Sequence, residues 1–300
     1  MAGEILTLKN ISKKYGRIQA LDGVSFSVPA GTVFGILGPN GSGKTTLLGI
    51  IMDILSHDSG SYELFGEAPA ASHRSRIGTL LETPNFYHYL SATRNLRISA
   101  AIKGRGEDDI DRVLDVVDLT RRKDSPFATY SLGMKRRLAI GAALLGDPEV
   151  LVFDEPTNGL DPVGIADIRN LIKSLSKQGK TIIMASHLLD EVEKVCTHVA
   201  IMKKGKVMAS GSVKEIFAKE DTVQLHATDM DKLREVVRSL PGHSSVFESD
   251  GMLEVSFPSS EQGPDLAAIN SFCFSHGIVL DRLLEKHTSL EKHFMELTNA

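Results

Sequence analysis

The feature that most constrains this 300-residue chain is the run Gly38-Pro39-Asn40-Gly41-Ser42-Gly43-Lys44-Thr45, which fits G-x-x-x-x-G-K-[ST]. It sits between the apolar run Val33-Phe34-Gly35-Ile36-Leu37 and a helical pattern over residues 46–51. That strand–loop–helix context is what separates a phosphate-binding loop from a chance glycine-rich turn. The glycines let the backbone wrap so that several N–H groups face inward at phosphate oxygens, and the helix adds its positive N-terminal end. Gly38, Asn40, Gly41, Ser42, Gly43, Lys44, Thr45 and Thr46 are the candidate binding residues. Lys44 is expected to reach the β- and γ-phosphates, and the Thr45 hydroxyl to ligate Mg²⁺. The loop therefore predicts a nucleoside-triphosphate binder of the α/β class.

The rest of the first two-thirds of the chain agrees with that class. Val150-Leu151-Val152-Phe153 and Thr181-Ile182-Ile183-Met184 are apolar without alternation. Strands of that kind are covered on both faces, as in a mostly parallel sheet flanked by helices. Ile110, Val113, Leu114 and Val117 carry helical spacing. Near Lys219-Glu220-Asp221 the pattern breaks, which divides the chain into a nucleotide-binding domain over 1–219 and an accessory domain over 220–300. In the second part a strand (222–227), a helix (230–240), a hairpin turning at Asp250-Gly251, a helix (265–275) and a strand (278–284) follow in order, then a terminal helix (289–297). That order is the one expected of a ferredoxin-like α+β domain.

Composition removes several other classes. There are 34 Lys and Arg against 38 Asp and Glu, a net charge of −4, so no basic excess suits a nucleic-acid backbone. Cys196 and Cys273 lie 77 positions apart, a spacing with neither metal-site nor disulfide logic; two buried thiols in a reducing compartment are expected. The start, MAGEILTLKN, has no signal-peptide pattern. The longest apolar stretch, Leu138 to Gly146, is about half the ~20 residues a bilayer span needs. A membrane role is expected to come through a partner.

Four further motifs narrow the chemistry. Val150 to Phe153 runs into Asp154-Glu155, two carboxylates at a strand end, where open α/β sheets bind ligands. Asp154 suits Mg²⁺ and Glu155 can accept a proton from an attacking water. The acidic strand is expected beside the phosphate-loop strand. Tyr130-Ser131-Leu132-Gly133-Met134 opens a helical run over 135–145; Asn158-Gly159-Leu160-Asp161 follows the carboxylates; and Ser186-His187 follows the strand at 181–184. Ser131 alone reads as a helix N-cap, and His187 alone as an ordinary histidine.

In this order the motifs, from Tyr15 to His187, resemble the nucleotide-binding subunit of ATP-binding cassette (ABC) transporters. The resemblance implies that Tyr15 stacks on adenine, that Ser131 and Gly133 cap the γ-phosphate held by a second subunit, that Asp161 lies on the loop crossing the dimer interface, and that His187 is the switch histidine. It implies ATP and Mg²⁺ as cofactors, with Lys44, Glu155 and His187 as the catalytic set. It also implies a separate transmembrane permease and a second ATP-binding subunit as partners, without nucleic acid, at the inner face of the cell membrane. The branch it looks like is that of antibiotic-peptide, lantibiotic and drug exporters.

Three positions depart from the family. Leu132 stands where a second glycine is usual and Met134 where a glutamine is usual. Glu82, in Leu80-Leu81-Glu82-Thr83-Pro84, replaces the glutamine that touches Mg²⁺; a carboxylate remains a hard oxygen ligand. A groove near Glu82 and Asn85-Phe86-Tyr87-His88-Tyr89 is expected either to accept a helix of the permease or to be packed within the helical subdomain. His287 and His293, six residues apart, read as surface histidines rather than a metal site. Two other readings share the nucleotide motifs: a soluble ABC ATPase acting on ribosomes or DNA, and an importer ATPase with a small-molecule-sensing terminal domain. No Asn-Lys-x-Asp guanine motif is present.

Overall fold

The computed structural model describes residues 3–81, 85–216, 221–249, 251–258 and 263–286. Glu82, His287, His293 and the expected helix at 289–297 lie outside the described residues. The chain divides into two compact units, Met1–Ile216 and Phe217–Ala300.

The first unit opens with β1 (Glu4–Tyr15), β2 (Ile18–Pro29) and β3 (Val33–Leu37), then α1 (Lys44–Ile51), β4 (Ser59–Leu64), α2 (Ala71–Arg74) and β5 (Ile77–Leu80). A helical stretch follows: α3 (Ala92–Lys103), α4 (Ile110–Val116) and α5 (Leu132–Leu144). The chain then returns through β6 (Val150–Asp154), α6 (Pro162–Lys177), β7 (Thr181–Ser186), α7 (Leu189–Val195), β8 (His198–Lys203), β9 (Lys206–Ser212) and α8 (Val213–Ile216).

Six of these strands form one sheet in the order β5-β6-β7-β3-β8-β9, parallel except for β9. Every residue of β3, β6 and β7 is buried, as expected of strands covered on both faces. The acidic strand β6 is not the direct neighbour of β3. Strand β7 stands between them, and the loop residues meet by reaching over its end.

A second sheet, β2-β1-β4, is antiparallel and has no counterpart in the strands read from the sequence. Its apolar residues alternate with polar ones, as at Leu6 and Leu8, and at Val24, Phe26 and Val28, all buried. These residues share one core with Phe34, Ile36 and the α1 residues Leu47, Leu48, Ile50 and Ile51. Phe26 stacks on Phe34 with ring centroids 5.1 Å apart, which ties the two sheets together. The phosphate-loop helix is thus anchored by burial on several sides.

Helix α5 begins three residues earlier than its apolar pattern suggests. The Ser131 hydroxyl accepts from the Met134 N–H at 3.3 Å, a helix N-cap. Close approach of α4 to α5 is seen at Gly141, where an added methyl would lie 3.1 Å from Val113 Cγ1.

The second unit contains β10 (Asp221–Ala227), α9 (Met230–Arg238), β11 (Ser245–Ser249), β12 (Met252–Phe257), α10 (Leu266–Ser275) and β13 (Leu280–Lys286). Its antiparallel sheet runs β11-β12-β10-β13, and the two helices pack on one face through Leu233, Val237, Ile269 and Cys273 against Val223, Leu225, Leu253 and Val255. Strand β13 lies two residues later than its sequence pattern.

Candidate active site

The carboxyl ends of β3, β7 and β6 lie side by side. Leu37 is in register with Ser186, and Ala185 with Asp154. Two backbone bonds continue that alignment into the loops: Gly38 N–H donates to the Ser186 carbonyl at 3.2 Å, and Glu155 N–H donates to the Ala185 carbonyl at 3.1 Å. The phosphate loop, the two carboxylates and the histidine that follows Ser186 are therefore placed by strand pairing before any side chain acts.

Side chains close the constellation. Lys44 Nζ donates to the carbonyls of Gly38 at 2.8 Å and Pro39 at 3.2 Å, and lies 3.5 Å from Glu155 Oε1. The other Glu155 oxygen, Oε2, is 2.7 Å from His187 Nδ1. The Thr45 hydroxyl donates to Asp154 Oδ2 at 2.8 Å. Glu155 adopts φ +47°, a left-handed conformation uncommon for a residue with a Cβ. Its neighbours hold it there, since its carbonyl also accepts from Asn158 N–H at 3.1 Å.

Asn40, Gly41, Gly43, Lys44, Thr45, Thr46 and Glu155 line one cleft of about 290 Å³, whose other wall is Ile18, Gln19 and Ala20 from β2. Those three wall residues carry no motif and were not legible in the sequence. Tyr15 pairs with Ile18 at the end of the β1–β2 hairpin and is 45% exposed, with Lys13 Nζ over its ring at 5.5 Å from the centroid. At Gly38, a methyl would come within 2.4 Å of the Met202 carbonyl and 2.6 Å of Ser42 Oγ, so the loop's first residue has no room for a side chain.

The donor set fits a divalent hard cation: a hydroxyl and a carboxylate, Thr45 and Asp154, are already within 2.8 Å of each other. The buried Ser42 hydroxyl makes no hydrogen bond among the described residues, which leaves an oxygen of the loop available. Among those residues no cluster of three or more His, Cys, Asp or Glu is arranged to hold a metal on its own.

Ser131, Gly133 and Asp161 do not line this cleft. They line a second one of about 430 Å³, with Leu132, Leu160 and Val163 among its other walls. Asp161 Oδ1 caps α6 by accepting from Gly164 N–H at 3.0 Å, with Pro162 at the first helical position. The aromatic segment divides in two: Phe86 packs edge-on against Phe127 at 5.2 Å, whereas Tyr87 and Tyr89 are exposed.

The structure also brings in residues with no motif. Arg136, buried on α5, donates to the Asn158 carbonyl at 3.3 Å; burial pushes its guanidinium below the usual value, against the opposing pull of Asp154. Arg169 on α6 pairs with the buried Glu191 on α7 at 2.6 Å. Both cysteines are buried, and burial pushes the Cys196 thiol up, so it is an inert core group. No helix among the described residues is long and apolar enough to cross a membrane.

Comparison with known proteins gives the same picture. A family profile described as ABC transporter matches residues 21–158. A bacitracin transport ATP-binding protein of Bacillus licheniformis is 35% identical over 301 residues, covering 98% of this chain and 97% of that one. The ADP conformation of MJ1267, an ATP-binding cassette of an ABC transporter, superimposes with a TM-score of 0.65 at 31% identity, over 71% of this chain and 92% of that one. The cassette MJ0796, solved as a dimer in a post-hydrolysis state with ADP and Pi, does so with a TM-score of 0.62 at 26% identity, over 69% and 98% of the two chains.

Proposed function

The chain belongs to the ABC transporter family, and from that premise we propose that it is the ATP-hydrolysing subunit of an exporter, working as a head-to-tail pair beneath a separate membrane permease. The observation that carries this reading is the division of the motifs between two clefts. Lys44, Thr45 and Glu155 line one; Ser131, Gly133 and Asp161 line the other. Each cleft is half a site, and a second subunit turned end for end would complete both. The dimeric state of the MJ0796 cassette supports pairing of two such subunits.

Within each completed site the roles follow from the contacts. Lys44 exchanges its carbonyl partners for the β- and γ-phosphates. Thr45 and Asp154 would hold Mg²⁺, whose charge offsets that of the triphosphate; Glu82 is the family-implied third candidate. Glu155 accepts the proton of the attacking water as its oxygen bonds to the γ-phosphorus and ADP leaves. His187 orients Glu155 through Nδ1, which leaves its other ring nitrogen for the γ-phosphate. Tyr15 stacks on adenine, an interaction on the order of 1–3 kcal/mol. Positioning and charge supply most of the rate enhancement.

The cargo is a peptide antibiotic, drug or similar amphipathic molecule. Support for that class comes from the bacitracin relative, whose likeness runs through the C-terminal unit as well as the cassette. We assign residues 220–300 as a ferredoxin-like accessory domain on the strand order β11-β12-β10-β13, and the subunit to the inner face of the membrane.

Two measurements test the proposal. Specific ATPase activity of the full chain should rise with protein concentration; hydrolysis at full rate by a strictly monomeric protomer overturns the paired-site mechanism. Co-expression with its permease in a sensitive host should raise tolerance to bacitracin or a lantibiotic. Unchanged tolerance to every amphipathic antibiotic tried, with ATPase intact, removes the cargo class.

A further inference from the structure

Seven residues, Glu155 to Asp161, connect the end of β6 to the start of α6. Two turn bonds stiffen this segment: Asn158 N–H to the Glu155 carbonyl at 3.1 Å, and Leu160 N–H to the Thr157 carbonyl at 3.2 Å. Helix α5 then grips it from the side at two successive residues. The buried Arg136 donates to the Asn158 carbonyl at 3.3 Å. The Leu132 side chain lies over Gly159, where a built methyl would sit 3.4 Å from Leu132 Cδ2. Gly159 has φ +78°, which favours glycine, and the half-exposed Leu132 side chain stands beside it.

Leu132 is the first residue of α5, between Ser131 and Gly133. A glycine at that position would have no side chain to reach the segment. The departure from the usual glycine therefore adds a contact rather than removing one.

We propose that Leu132 and Arg136 form a clasp that fixes the position of Ser131 and Gly133 relative to Glu155 of the same subunit. Since Glu155 serves one ATP site and Ser131 the other, the clasp links the two sites through each protomer. This rests on the paired-site reading above. Leu132 and Arg136 are positioning residues: they act through the loop and the helix end they join. A movement of the Glu155 turn passes to Asn158 through their turn bond and on to α5 through the Arg136 hydrogen bond, with Leu132 beside Gly159.

The test is steady-state ATP hydrolysis by the full chain as a function of ATP concentration, for Leu132→Gly, Leu132→Met, Arg136→Met and the double variant Leu132→Gly/Arg136→Met. The wild type should show a Hill slope above one. Leu132→Gly and Arg136→Met should each lower kcat/KM about tenfold and bring the slope toward one, while ATP affinity of the isolated protomer stays unchanged. The double variant should lose little more than either single one, as expected for two halves of one contact. Leu132→Met, which keeps a long apolar side chain, should restore the slope.

A cooperative wild type whose slope survives Leu132→Gly and Arg136→Met overturns the clasp, as do additive losses accompanied by a matching fall in Tm. Failure of the underlying reading looks different: the wild type itself has a slope of one, and Glu155→Gln does not dimerise with ATP in light scattering.

Discussion

Glu155→Gln separates proton acceptance from every other property of the site. The amide has nearly the shape of the carboxylate, so the bond toward His187 at 2.7 Å can persist. What disappears is one negative charge 3.5 Å from Lys44 Nζ. At an effective dielectric near 20, that attraction is on the order of a few kcal/mol before desolvation is counted. Its loss frees Lys44 for phosphate, so ATP affinity should hold or tighten. Turnover should fall by about 10²–10⁴-fold, the usual contribution of a positioned base. Because binding survives while the step that ends the closed state does not, the variant should accumulate as an ATP-bound dimer. Single-turnover hydrolysis gives the chemical rate, nucleotide titration the affinity, and light scattering the dimer fraction. Unchanged hydrolysis would remove Glu155 from its role. A rate loss matched by an equal loss of affinity would mean that the substitution had deformed the phosphate loop instead.

Gly38→Ala should abolish nucleotide binding, because its methyl would lie 2.4 Å from the Met202 carbonyl on β8; calorimetry with a non-hydrolysable ATP analogue reads this directly, and wild-type affinity would refute it. Tyr130→Phe removes the hydroxyl that donates to the Arg122 carbonyl at 2.6 Å from a buried position. It should cost about 1 kcal/mol, or about 2–4 °C in Tm, with ATPase activity nearly intact. Lys103 caps the carbonyl end of α5, donating to Ala142 at 2.6 Å, and burial pushes its ammonium down to about 8 from 10.5. Below pH 8 both folded and unfolded forms carry the proton and the folded state bears the full burial penalty. Between pH 8 and 10.5 the unfolded chain binds more protons, so stability relative to Lys103→Met should rise with pH. The rise should be about 1–2 kcal/mol once partial exposure is allowed for, and denaturant melts of both proteins across that range would expose a flat difference.

The motif-bearing part of the site was legible because its residues are consecutive and their chemistry is peculiar to them. The phosphate loop needs glycines where backbone meets backbone, and the carboxylates need a buried strand to present them. The sheet β2-β1-β4 escaped because its alternation is short and interrupted: the register shifts between Leu8 and Ile11, where Asn10 takes φ +53°. A bulge of that kind breaks the period of two on which strand reading depends. Strand order escaped as well. Nothing local in Asp154-Glu155 tells that β7 intervenes, since parallel pairing is set by long crossovers. Arg136 looked like one basic residue among three, Lys135, Arg136 and Arg137. Only the packing of α5 buries the middle one against a carbonyl.

The position of Glu155 shows why so short a segment can serve both chemistry and pairing. A residue with a Cβ at φ +47° costs energy that nearby bonds must offset, and here they come from both sides, Ala185 on β7 and Asn158 in the following turn. The bond to Ala185 belongs to the sheet and sets where the carboxylate stands relative to the phosphate loop. The bond to Asn158 belongs to the segment gripped by α5, which sets where Ser131 stands. One strained residue is thereby held between the two half-sites of its own subunit. Substitutions at Asn158 or Gly159 should consequently disturb hydrolysis and dimer closure together, whereas substitutions confined to the Lys44 side of the cleft should disturb nucleotide binding first.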